Sequence, residues 1–413
     1  MNSPTVTITI TPEERDIILN YAELPKGVAA RLRFAIQGDA ELEVRLSEQE
    51  QLALAQSLYS AIDSAPDSDT AFAISHLISR VAPLEIPDMS GEFDRSLFPP
   101  DMPDEICREI YERLHTGEFE SLEDAFEAVE DIIYKHNAAP LDAYHGLSTE
   151  AAYHLVGNGW NEPGAIIQLR DNLPLEELAE SHYYHNAMAL MRALDEEGGA
   201  KATARKNLNR SMVERMTREM RGERIAESLT VCNPKNRNET DIWPIHFVRV
   251  LLEAAKLIRL YKGKFQLTKL GRQFLDPARA GALQAHLFTA FVRSINIAYL
   301  DRAPEYAGVQ ATYPFILFAV RQIAAEEVGM EEFAQKIFLP AVEEEFEEHE
   351  YFSDRDFVAR IRVAEPLADF GLLTIKTINP EARYFDREET VRITPLFDRM
   401  IRFDFENAAA ADY

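Results

Sequence analysis

The residues with the clearest chemical capacity are cations. Between Lys201 and Ala280 there are eighteen lysines and arginines against eight aspartates and glutamates, a local balance of +10, while the rest of the chain carries −37. Clustered cations neutralise phosphate or an acidic protein face, so this stretch is a candidate nucleic-acid or acidic-partner surface in a chain of net charge −27. Lys262 and Lys264 fall at the tip of a predicted hairpin; with Arg259, Lys269 and Arg272 they are the candidates for phosphate contact. Arg249 and Lys256 fall on the preceding helix, which would approach a groove with His246 and Arg249 reading base edges. A basic face that docks on the chain's own acidic flanks has the same composition.

Other chemistry finds less support. His182 and His185 are three apart in a predicted helix, but no carboxylate or third histidine has a ligand spacing to them, which favours structural or surface histidines and no metal. Cys107 and Cys232 are the only cysteines and have no ligand-like neighbours, so neither a disulfide framework nor a zinc knuckle is expected. Gly157-Asn158-Gly159 lacks the strand and third glycine of a dinucleotide loop, and no Gly-x-Ser-x-Gly elbow occurs. No cofactor and no catalytic residue is assigned, and the reading leans away from an enzyme.

The element that positions the cations opens at Ile242-Trp243-Pro244. Ile245, Val248, Leu252 and Ala255 then repeat at helical spacing as a core-facing stripe, while His246, Arg249, Glu253 and Lys256 take the opposite face. Two alternating strands follow, Leu257 to Tyr261 and Lys264 to Leu267, joined across Lys262-Gly263, where glycine supplies a positive φ. Thr268 caps a short closing helix to Leu275. In the phrase Leu251 to Ile258, the short wing, Leu267-Thr268 and Gly271, this stretch resembles the winged-helix superfamily. Lys256 departs from the pattern, standing where related sequences usually have glycine.

A second winged-helix-like unit is predicted at Val363 to Met400, where Gly371 ends the helix, strands Leu373 to Ile378 and Thr390 to Ile393 follow, and the wing Glu381 to Glu389 is mixed in charge. A degenerate third is expected from Met188 through Gly198-Gly199 to Thr203, its hairpin almost absent, followed by the basic run Arg205 to Arg210. Near the N-terminus, Thr11 with Glu14 and Ser47 with Glu50 have capping-box spacing at the start of two helices.

The fold class is therefore mainly α with short β-hairpins, a multi-domain helical protein with two winged-helix-like units and a degenerate third. The expected divisions are an N-terminal α/β helical domain over 1–82, a proline-rich linker over 83–103 and a helical domain over 104–230. The basic winged-helix unit follows over 231–280, then a helical segment with an acidic end over 281–350 and the C-terminal unit over 351–406. No apolar run approaches a membrane span, and the N-terminus lacks a signal peptide, so a cytoplasmic location is expected. The expected partner is DNA or RNA at the basic centre, or else a protein for which the winged helices are adaptors.

From His145-Gly146-Leu147-Ser148 through Gly157 to Trp160, Gly198-Gly199 and Tyr299-Leu300-Asp301-Arg302, the chain resembles uncharacterised bacterial proteins related to plasmid-type open-reading-frame and SEC-C-associated families. The cysteine-rich zinc motif of SEC-C proteins is absent, so the resemblance implies no metal and no established activity.

Overall fold

The computed structural model describes residues 5–22, 24–33, 36–37, 42–62, 65, 68–81, 93, 95–99, 102–117, 119, 122–157, 160, 165–231, 237–302, 305–349, 352–382 and 387–405. The protein is mainly α-helical with short antiparallel strand pairs and divides into two compact units, Met1–Asn137 and Ala138–Tyr413. Among the described residues no helix is long and apolar enough to cross a membrane.

In the first unit, strand Thr5–Ile10 lies antiparallel to Leu42–Ser47, whose other edge holds Ile36–Gln37. Leu42, Val44 and Leu46 are buried and alternate with exposed Glu43 and Arg45, the period-two pattern of a sheet with one face on a core. Each long strand runs into a capped helix. Thr11 Oγ1 accepts from the Glu14 amide at 3.1 Å, and Glu14 Oε2 from the Thr11 amide at 2.7 Å, opening helix Pro12–Tyr21. Ser47 and Glu50 repeat the exchange at 3.3 and 2.9 Å where helix Glu48–Ile62 begins. Helix Ser68–Val81 adds Ile74, Leu77 and Val81 to the same core. Helices Asp104–Thr116 and Leu122–Ala138 are joined by Glu109, which accepts from Lys135 at 2.8 Å and pairs with His136 at 2.7 Å. The linker expected over 83–103 lies outside the described residues except for 93, 95–99, 102 and 103.

The second unit is organised by one apolar core that runs from Leu147 to Ile401. Two segments within it share a connectivity. In the first, helix His182–Glu196, strand Ala200–Lys201, helix Arg210–Glu219, helix Glu223–Val231 and helix Trp243–Ala254 precede the hairpin Ile258–Tyr261 and Lys264–Leu267. In the second, helix Tyr313–Ile323, strand Val328–Gly329 and helix Met330–Lys336 lead to a helical run, Asp354–Val358, Ala359–Ala364 and Glu365–Asp369, and then to the hairpin Leu373–Thr377 and Glu389–Ile393. In both, the short early strand pairs with the second hairpin strand, so each makes a three-stranded sheet of the same order. Both hairpins are entered through a left-handed residue, Lys256 at φ 57° and Gly371 at φ 74°. The next amide in each case reaches back to close the helix, Leu257 to the Leu252 carbonyl at 2.9 Å and Leu372 to the Leu367 carbonyl at 2.8 Å.

Several expectations change here. The strand at Ala200–Lys201 belongs to the sheet of the central hairpin, so the degenerate third unit is the opening half of the central one. The divisions expected at 230, 280 and 350 fall inside the single core, through which helix Ala280–Ser294 passes with Leu283, Leu287, Phe288 and Phe291 buried. The C-terminal segment is tied in as well, since strand Ile401–Phe403 pairs with Ile167–Leu169. The acidic end of the segment expected over 281–350 is not continuous helix: Pro340, which has no amide to donate, starts a short turn of helix, Pro340–Glu343, and Glu348–His349 pairs with Phe352–Ser353. Residues 158–159, 232–236, 383–386 and 406–413, which hold part of the glycine motif, Cys232, part of the C-terminal wing and the tail, lie outside the described residues.

Candidate nucleic-acid interface

The central sheet orients its side chains by simple alternation. Ile258, Phe265 and Leu267 are buried beneath it, which leaves Arg259, Tyr261, Lys264 and Lys201 exposed on the outer face. The register puts Lys264 opposite both Tyr261 on one neighbour and Lys201 on the other. Lys262 at φ 49° and Gly263 at φ 73° make the two-residue turn that the sequence predicts. The Ala202 amide donates to the Gly263 carbonyl at 2.8 Å, drawing the Thr203–Asn207 loop with Arg205 and Lys206 to the hairpin tip.

Tyr261, 47% exposed, is flanked by cations, with the Arg259 guanidinium 5.1 Å and Lys262 Nζ 5.3 Å from the ring centroid. Among the described residues no carboxylate lies within 4.0 Å of Lys201, Arg205, Lys206, Lys256, Arg259, Lys262, Lys264 or Lys269. Arg272 is 3.8 Å from Asp195, a weak exposed pair. The face therefore presents uncompensated positive charge around one aromatic ring. Lys201, Arg205 and Lys206 were not among the sequence candidates. Period-two alternation over two residues is too short to announce a strand, and only the pairing with Lys264 reveals that they share a surface with the hairpin.

His246 and Arg249 have a different role from the base readers expected. Both are buried on helix Trp243–Ala254, whose polar side is covered by the turn Glu239–Asp241 and by Tyr299. Oε1 of Glu239, itself fully buried, accepts from His246 Nδ1 at 2.5 Å and from Arg249 Nε at 2.7 Å. Its Oε2 accepts from the Leu208 amide, and Arg249 also donates to Glu253. Nε2 of His246 lies 2.5 Å from the Tyr299 hydroxyl. Burial alone would raise the Glu239 carboxyl, but the His246 hydrogen bond, the Arg249 charge and the Leu208 amide hold it below its ordinary value. These side chains are committed to an internal cluster. An apolar stripe reveals which face of a helix meets the core, but not that an acid elsewhere covers the polar face.

The two spaced histidines also part company. His182 Nδ1 faces Asp369 Oδ1 at 3.3 Å, while His185 Nε2 meets the Ala179 carbonyl at 3.1 Å. Among the described residues no three histidines, cysteines or carboxylates are grouped to hold a metal ion. In the segment Tyr299 to Arg302, Asp301 takes both ends of the buried Arg362 guanidinium at 2.6 and 2.9 Å, anchoring the second hairpin's helical run.

Residues 179–281 match the family model described as the Y4jL N-terminal domain. The match opens just before helix His182–Glu196 and closes just inside helix Ala280–Ser294, so it frames the first of the two similarly connected segments and contains the whole basic face. No curated protein and no solved structure matches the chain.

Proposed function

We propose that the chain binds nucleic acid, holding the phosphate backbone with the outer face of a winged-helix unit and its wing tip. The observation that carries this reading is the set of exposed cations without carboxylate partners, Lys201, Arg205, Lys206, Arg259, Lys262 and Lys264, gathered around Tyr261. Self-docking on acidic flanks would consume these charges within the chain, and among the described residues of the same unit they are not consumed. The strand order with the short early strand beside the second hairpin strand supports the winged-helix description. Because the helix that commonly enters a groove is here built into the core, binding runs through phosphates and one stacking ring, with little base readout. A cytoplasmic location and a DNA or RNA partner fit this reading.

Binding of duplex and single-stranded oligonucleotides across a salt series tests it. Log affinity should fall linearly with log salt at about −0.9 per phosphate neutralised on duplex, and Lys262→Glu/Lys264→Glu should flatten that slope by about two. Affinity absent at low salt, or untouched in the variant, removes the proposal.

Burial of His246 and Arg249 favours one second reading, a protein adaptor whose basic face receives an acidic partner. Stoichiometric capture of a protein that nucleic acid fails to displace would select it.

A further inference from the structure

Among the described residues, the hairpin of the second similarly connected segment ends in an open edge. Strand Leu373–Thr377 is the outermost of its sheet. The Leu372 carbonyl accepts from the Thr394 amide and the Ile378 amide donates to the Glu388 carbonyl, which fixes the ladder's phase. Residues 372, 374, 376 and 378 turn their backbone groups toward the neighbouring strand, so those of Leu373, Ile375 and Thr377 point away from the sheet; Leu373 is buried, which leaves Ile375 and Thr377 as the accessible part of the edge. A cleft of about 840 Å³ lies along this strand. Its lining takes Leu373, Thr374, Ile375 and Thr377 from both faces of the strand, as happens when a cleft follows an edge.

Helix Glu223–Val231 and the helical run with Arg360, Ile361, Glu365 and Asp369 also line it. Inside the cleft the charges are already paired: Asp369 with His182 and Arg224, Glu365 with Arg224 and Arg360, Glu389 with Arg360. At the rim they are not. Glu180, Glu223 and Glu227 are exposed, and among the described residues no lysine, arginine or histidine lies within 4.0 Å of them. In all, six carboxylates line the cleft against three arginines and His182.

We propose that this cleft receives an extended polypeptide segment of a partner protein, added as a strand to Leu373–Thr377 and bearing lysine or arginine at alternate positions. The open edge supplies the hydrogen bonds that any extended chain can satisfy, and the rim supplies the selectivity. Glu223 and Glu227 stand one helical turn apart, about 6 Å, close to the about 6.6 Å at which alternate side chains of a strand recur, so the two spacings match. A nucleic acid is disfavoured by the same carboxylates, which separates this surface from the basic wing.

The test uses the full chain and a short fluorescent peptide in which lysine and valine alternate. The peptide should bind at low salt. Affinity should fall at least tenfold for Glu223→Lys/Glu227→Lys, and equally for a peptide N-methylated at alternate residues, which cannot complete the ladder but leaves the protein unaltered. A glutamate-for-lysine peptide should not bind, and Lys262→Glu/Lys264→Glu should bind as wild type does, whatever becomes of its nucleic-acid affinity. No binding at low salt, or binding that survives both the charge reversal and N-methylation, overturns the proposal. Sedimentation that reveals self-association lost in Glu223→Lys/Glu227→Lys overturns it too, since the occupant is then a second copy.

Discussion

Glu239 is the acid on which the buried side chains of Arg249 and His246 depend. Removing its charge leaves His246 and Arg249 facing an interior with less compensation, so Glu239→Gln should lower unfolding stability by about 3 kcal/mol near neutral pH. Its carboxyl is depressed in the folded protein, so its contribution is complete above the ordinary carboxylate value of 4.5 and is lost as pH falls through the folded value. Urea midpoints measured from about pH 3 to pH 7 should therefore show wild type and Glu239→Gln converging toward the acid end. Parallel curves would mean that the carboxylate contributes no charge-dependent stability. The same residue shows why part of the candidate site was illegible. The helical stripe correctly sends Ile245, Val248 and Leu252 inward, but the cover over the polar side comes from a turn that no periodicity announces.

Between the helix and the hairpin, the left-handed turn was legible in one segment and concealed in the other. Gly371 reveals it by residue type, whereas Lys256 adopts the same conformation at φ 57° against the steric preference of a side chain. Lys256→Gly should release that strain and raise stability by about 0.5–1 kcal/mol, the gain being limited by glycine's greater freedom when unfolded. Denaturant melts check the sign; a loss would mean that the lysine stem packs usefully there. The hairpins, the Thr268 cap with its 3.0 Å bond from the Gly271 amide, and the two capping boxes were readable because each is a local rule written in adjacent residues. The third strand of each sheet was not. Two residues such as Val328–Gly329 carry no pattern of their own, and their pairing with Thr390 and Val391 is decided by distant packing.

At the scale of the whole second unit, the ion pairs His182–Asp369, Arg224–Asp369 and Arg224–Glu365 join the helices of one similarly connected segment to those of the other. The hydrogen bond with Asp369 raises the His182 imidazole above its ordinary 6.5, against the opposing effect of burial. A raised folded value means that this contribution is fully present below the unfolded value and disappears as pH climbs through the folded one. Wild type should thus lose melting temperature relative to His182→Gln as pH climbs from below 6.5 into the alkaline range. A constant difference across that range would show that the histidine acts through packing alone. Domain boundaries were the least legible feature, since a composition shift near 230 or 280 marks a change of surface charge, while the apolar residues on either side enter one core.

The pairing of Ile401–Phe403 with Ile167–Leu169 has a temporal consequence. During synthesis the Ile167–Leu169 segment leaves the ribosome long before its partner strand exists, so the nascent chain must carry an unmatched edge until residue 403 has been made. Closure of this unit is therefore a late, high-contact-order event.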